Sequence, residues 1–233
     1  MKRFVAGLAT GAVLATPMGA AACGESKKPD PVTIDQAEVK DAQDYFDKVI
    51  DFWQSQLDVN ESAPNLHIVN GNESYNCVDG ARTTTIYSYT EQNVFCPGAG
   101  NTSKTAVAIT AFALREELAT NGGKSTRNFN IAHEGGHWVI EASSRQNPNN
   151  AVGTPKQEEW QADCYAGTAV ATLDGQNSAV AVLAHLGALE TNTDAQATYG
   201  TNEEQQAAFL QGSNGGPCDV THVQKAVNKA PVH

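Results

Sequence analysis

Ile131-Ala132-His133-Glu134-Gly135-Gly136-His137-Trp138 places a His-Glu-x-x-His pattern inside a stretch, Thr126 to Ser143, whose residues favour a helix. On a helix, residues four apart lie one above the other, so the imidazoles of His133 and His137 reach one ion while Glu134 stands beside it, toward a water. Two imidazoles begin a zinc site that keeps an open coordination position, and the ion lowers the pKa of water there toward neutrality. Composition alone yields such a match in roughly one chain of this size per hundred. The alternative is a solvated helix with two surface histidines, which leaves the adjacent Gly135 and Gly136 unexplained. Two glycines inside a helix cost about 2 kcal/mol relative to alanine, so close packing against a sheet, or room for a substrate, is expected at this point.

Such a site needs a third protein ligand. Glu159-Trp160-Gln161-Ala162-Asp163 opens another helical stretch 22 residues after His137, enough for a loop that returns a second helix antiparallel to the first. Glu159 and Asp163 share a face of that helix. Glu159 is the expected third ligand. Asp163 is placed to accept the free ring N–H of a liganding histidine and so fix its tautomer. The competing reading is a solvated acidic face that includes Glu158, but the two halves together fall below about one accidental match in a thousand chains.

These segments, His133 to His137 and the run Glu159-Trp160-Gln161-Ala162-Asp163-Cys164-Tyr165-Ala166-Gly167, resemble the active-site and glutamate helices of the neutral zinc metallopeptidases of bacteria. Phe95-Cys96-Pro97 before a β-prone stretch, and Gly200-Thr201 leading to Ala208-Phe209 and Gly212, are similar to that family's flanking segments. The resemblance runs from about Cys77 to Cys218. It implies a gluzincin-type zinc endopeptidase acting on peptide or protein substrates, with His133, His137 and Glu159 as zinc ligands and Glu134 as catalytic base. The implied fold is a mainly helical, zincin-like α+β domain with a small antiparallel sheet. The chain departs from the family at Trp138 and Ile140, where histidine and glutamine are frequent, and at Tyr199, where histidine is usual before Gly-Thr.

Further from the motif, Asp35 and Glu38 form a capping-box pattern ahead of Phe46, Val49, Ile50, Trp53 and Leu57, whose spacing predicts an amphipathic helix with a core-facing stripe. Asn60 to Ala81 reads as loop broken by a short strand at Leu66 to Val69, and Thr83–Tyr89 and Thr105–Thr110 are strand candidates. Helices are expected from Ala111 to Leu118, from Thr154-Pro155 onward, over Ala179–Leu189 with Ser178 as cap, and over Asn202–Gln211.

At the other end, Lys2 and Arg3 precede an apolar run, Phe4 to Ala15, that passes into small residues ending at Ala22. This reads as an export signal over residues 1–22, too short to span a bilayer as an anchor. Ala20-Ala21-Ala22-Cys23 resembles a lipoprotein processing box, which would attach lipid to Cys23. An ordinary signal-peptidase site nearby is the alternative. Residues 23–37 then form a tether, and 38–233 a single domain without internal repeat. The expectation is an envelope lipoprotein at the outer face of the membrane, or a secreted protein, touching the membrane only through its lipid.

Setting Cys23 aside leaves Cys77, Cys96, Cys164 and Cys218, an even set that an exported chain can oxidise. Of the three pairings, Cys77 with Cys96 and Cys164 with Cys218 is favoured because each keeps a cysteine with its neighbour in the sequence. The formal net charge is -11. Such an acidic chain is a poor partner for nucleic acid.

Peptide hydrolysis also needs a donor for the oxyanion of the tetrahedral intermediate. His185, Tyr199, Tyr165 and His222 have the right chemistry, and Tyr199 is preferred. His67 and His233 read as incidental. Two further readings compete: a non-catalytic zinc-binding envelope lipoprotein serving as scaffold or partner-binding module, and a solute-binding lipoprotein without metal. Retention of Glu134 counts against the scaffold, since a purely structural metal needs no base and is usually closed by a fourth ligand, and the solute-binding reading must dismiss the whole constellation.

Overall fold

In the first helix, α1 (Gln36–Leu57), the residues Ala42, Phe46, Val49, Ile50 and Trp53 recur every three or four positions, and all are buried. Asp35 Oδ1 accepts the Glu38 N–H at 2.8 Å and so starts the helix. The computed structural model describes residues 29–57, 61–79, 82–98, 105–120, 122–146, 153–189 and 193–230. The expected signal segment, Cys23 and His233 lie outside them. Val32 and Ile34, read above as tether, are already tied to the body: Val32 O accepts from Gly71 N–H at 2.8 Å, and Ile34 N–H donates to Asn70 Oδ1 at 3.0 Å.

The chain is α+β and mainly helical. Among the described residues five strands follow α1: β1 (Asn65–Val69), β2 (Ser74–Asp79), β3 (Arg82–Tyr87), β4 (Asn93–Cys96) and β5 (Ala106–Thr110). β5 is buried along its whole length and forms the middle of a three-stranded sheet ordered β1-β5-β4. β4 runs antiparallel to it, with Phe95 opposite Val107, whereas β1 runs parallel, so this small sheet is mixed rather than purely antiparallel. β2 and β3 pair as a separate antiparallel hairpin. β3 coincides with the strand candidate Thr83–Tyr89, whereas β2 falls within the stretch read as loop, because Ser74 and Asn76 stay exposed and carry little apolar signal.

Alternation divides the sheet into two faces. Leu66, Ile68, Phe95, Val107 and Ile109 join the helical core. Val69, Cys96, Ala106 and Ala108 pack instead with Cys77 and Ile86 of the hairpin. The Cys77–Cys96 disulfide fastens hairpin to sheet.

Among the described residues α1 is joined by seven more helices: α2 (Ala111–Ala119), α3 (Lys124–Gln146), α4 (Pro155–Leu173), α5 (Gln176–Ala188), α6 (Thr193–Tyr199), α7 (Asn202–Ser213) and α8 (Val220–Val227). α3 is the central element, packed against α1, α2, α4, α5 and β4. Its first turns are held by a buried arginine. Arg127 pairs with Asp41 of α1 at 2.7 Å and with the Asn128 amide, which donates in turn to Asp174 at the end of α4. A charge this deep is tolerated because it is paired and hydrogen-bonded.

α4 starts at a full capping box, Thr154 with Gln157, followed by Pro155. Cys164 of α4 is bonded to Cys218, which ties down the chain entering α8. Both disulfides therefore join neighbours in sequence. α5 begins three residues before the expected position: Gly175, at φ +85°, precedes its first turn, and Ser178 lies inside the helix with Oγ donating to Asp174 O. Glycine serves at that junction because its left-handed backbone carries no Cβ penalty.

Candidate metal centre

The glycines of the motif decide how close α3 lies to its neighbours. A Cβ on Gly136 would sit 3.0 Å from both Cα and carbonyl oxygen of Ala162 in α4, and one on Gly135 would sit 3.0 Å from Val49 Cγ1 in α1. These contacts are tighter than ordinary packing, and Ala162 presents backbone that cannot rotate away. The glycines thus serve helix-to-helix approach, not the sheet packing or substrate space expected from sequence. With α3 and α4 this close, His133 and His137 on one helix meet Glu159 and Asp163 on the other.

His133 Nε2 lies 3.2 Å from His137 Nε2 and 3.2 Å from Glu159 Oε2, while His137 Nε2 lies 3.4 Å from the same oxygen. A four-coordinate metal with ligand bonds of about 2.0–2.2 Å separates its ligand atoms by about 3.3 Å. The three donors therefore form one triangular face of a coordination tetrahedron. This His133, His137 and Glu159 group could hold a metal ion.

The other ring nitrogens are also occupied. His133 Nδ1 faces Asp163 Oδ1 at 2.9 Å, and His137 Nδ1 lies 3.7 Å from Glu158 Oε1. Asp163 has the supporting place read from the sequence. Glu158, named in the sequence only within the competing solvated face, stands beside the outer nitrogen of His137. Asking what orients that second ring would have singled it out.

The protein groups alone make this a proton-holding cluster. Burial works against charge on His133, yet Asp163 and Glu159 outweigh it and hold the ring well above the ordinary histidine value. Burial likewise opposes charge on His137, but Glu158 and Glu159 push it up to about 9. Burial alone would raise Glu159, and the two imidazoles reverse this and keep it far below the usual carboxylate range. Asp163 is raised by burial despite its bond to His133.

Glu134 lies outside the ligand triangle. It is 7% exposed, and burial raises its pKa, while the two histidines and the Phe95 amide pull partly in the other direction. The effect of Phe95 comes from its backbone N–H, which faces this carboxylate. Among the described residues β4 pairs only with β5, so Phe95 belongs to an edge strand, packed against α3. Sequence reading had no sign of this contact beyond the Phe95-Cys96-Pro97 resemblance.

Of the four candidate donors, Tyr199 is the one that feels the charges of Glu159 and Glu134. It ends α6, its side is half-exposed, and its phenol is raised by burial and by the charges of Glu159 and Glu134. Gly200 fixes the turn that follows: it has φ +95°, and a Cβ there would sit 2.6 Å from Trp160 Nε1. Tyr165 is used in packing, edge-on to Trp53. His222 pairs with Asp219 at the start of α8, and His185 lies in α5, where burial lowers its pKa. His67 stacks on Tyr75 of the hairpin.

No family model, curated protein or solved structure matches this chain.

Proposed function

We propose that the chain is an exported zinc-dependent endopeptidase of the gluzincin kind. The observation that carries this reading is a division of labour: three donors converge at 3.2–3.4 Å, and a fourth group, Glu134, is buried beside them without joining them. Imidazole and carboxylate donors in tetrahedral array suit zinc. A site used only for structure is normally closed by a fourth protein ligand and has no need of a spare carboxylate.

Zinc, when bound, supplies a Lewis acid for the scissile carbonyl and makes water more acidic. Glu134 takes a proton from the attacking water and passes it to the leaving amine. Its burial raises its proton affinity, which suits a group that must both accept and return a proton, and the Phe95 N–H fixes its direction. Tyr199 stays protonated and donates to the oxyanion of the tetrahedral intermediate. Peptide or protein is the substrate class that this chemistry implies.

Two disulfides fit an oxidising, extracytoplasmic setting. No helix among the described residues is long and apolar enough to cross a membrane. A lipid on Cys23 is the proposed link to the envelope.

The test is metal content of the purified mature chain, followed by digestion of a peptide library with and without chelator. Cleavage that chelator abolishes and added zinc restores supports the enzyme. Protein that holds zinc and cleaves no peptide moves the reading to a zinc-holding scaffold.

A further inference from the structure

One buried carboxylate has no part in that chemistry. Glu117, on the last turn of α2, is 8% exposed. Its Oε1 accepts the side-chain amides of Asn93 at 2.6 Å and Asn130 at 2.8 Å, and its Oε2 has no hydrogen-bond partner among the described residues. Burying a carboxyl in this way is costly unless its bonds are put to use. Burial pushes Glu117 up to about 7 even with both amides pulling it down.

The two amides belong to the two elements that meet at the base. Asn93 begins β4, two residues before Phe95. Asn130 lies on α3 one turn before Glu134, on the same side of the helix. A single carboxylate oxygen therefore bridges edge strand and metal-site helix. The Phe95 N–H faces Glu134 across the same gap, one step further along both elements.

We propose that Glu117 is a positioning residue for Glu134: by tying Asn93 to Asn130 it holds β4 where the Phe95 N–H meets the Glu134 carboxylate. The proposal rests on the reading of Glu134 as the base, but its structural half does not depend on activity. Loss of the tie lets β4 move from α3, freeing the Phe95 amide and leaving Glu134 without its fixed donor. Glutamine at position 117 keeps an oxygen for both amides, so it restores most of what alanine removes.

Native-state hydrogen exchange of ¹⁵N-labelled full chain, combined with peptide-cleavage kinetics, tests this. In Glu117→Ala the Phe95 amide should exchange about tenfold faster, the amides of β5 should be unaffected, and Glu117→Gln should return Phe95 to slow exchange. In cleavage, Glu117→Ala should lower kcat roughly 10- to 100-fold at constant KM. It should add nothing in a Glu134→Gln background, because both changes act through one group. Unchanged Phe95 exchange in Glu117→Ala, or an equal loss of rate in both backgrounds, overturns the proposal and leaves the peptidase reading standing. If the wild type cleaves nothing, the peptidase reading fails while exchange still decides the role of Glu117. Should Glu117→Ala not fold, Asn130→Ala cuts the same tie from α3 and must free the same amide.

Discussion

His133 Nδ1 lies 2.9 Å from Asp163 Oδ1, and Asp163 is 2% exposed. That contact settles which nitrogen of His133 faces His137 and Glu159: with Nδ1 engaged by the carboxylate, Nε2 is left for a metal. Asp163→Ala should weaken zinc binding roughly 10- to 100-fold without removing a ligand. Glu159→Ala should cost more, since it removes one. Competition against a chelator of known affinity measures both, and equal affinity in wild type and Asp163→Ala would show that the ring needs no such support.

The same contacts set a pH dependence. His137 is raised from about 6.5 to about 9 by Glu158 and Glu159. Its ion pairs therefore stabilise the metal-free chain fully below pH about 6.5, and this contribution fades as pH rises toward 9. Glu159 is lowered, so its share is present above its ordinary value and is lost only in strong acid. Zinc requires the unprotonated ring. Apparent affinity should accordingly rise with pH up to about 9, by about tenfold per unit for each proton displaced, with tight binding lost below about pH 5. Calorimetry in buffers of different ionisation enthalpy should find proton release near pH 7.5; its absence would place the histidines unprotonated before the metal arrives.

What the sequence revealed follows from how local each signal is. His133 and His137 need only one helix, and Thr154 announces α4 by itself, so both could be read directly. β4 has four residues and β2 an exposed, polar edge, and neither becomes a strand until its partner supplies hydrogen bonds. The Gly135-Gly136 pair showed that something comes close, but Val49 and Ala162 stand 86 and 26 positions away, and only the packed helices identify them. Glu117 sits in Arg115-Glu116-Glu117, which reads as solvated surface until Asn93 and Asn130 fold over it.

Gly136→Ala tests the close approach. Alanine favours a helix over glycine by about 1 kcal/mol, whereas forcing a methyl group into filled space costs about 1–3 kcal/mol. Because the obstacle is Ala162 backbone, the second effect should win. The variant should unfold at lower temperature and bind zinc more weakly, since the added methyl pushes Glu159 and Asp163 away from the histidines. Thermal melting with a parallel zinc titration would decide; unaltered affinity would mean that α4 yields without moving its carboxylates.

Tyr199→Phe isolates the proposed oxyanion donor. Removing a fully enclosed donor typically costs about 10²- to 10³-fold in kcat, and Tyr199 is 48% exposed, so about 10- to 100-fold is expected with KM little changed. Zinc content should stay at the wild-type level because the phenol is not a ligand. Steady-state kinetics on one peptide suffice, and undiminished kcat would return the role to an unidentified group.

Glu134→Gln separates holding a metal from using it. Glutamine has nearly the shape of glutamate and its carbonyl oxygen can still accept the Phe95 N–H, so the fold and the His133, His137 and Glu159 triangle should persist. What disappears is the ability to take a proton. Zinc content and melting temperature should therefore match the wild type, while cleavage falls about 10²- to 10⁴-fold. The result also bears on burial: a neutral side chain replaces a carboxylate that burial disfavours in its charged form, so any change in stability should be toward a firmer metal-free protein. Lost activity with intact zinc assigns proton transfer to Glu134. Equal cleavage by both proteins removes Glu134 from the mechanism, whatever the metal triangle holds.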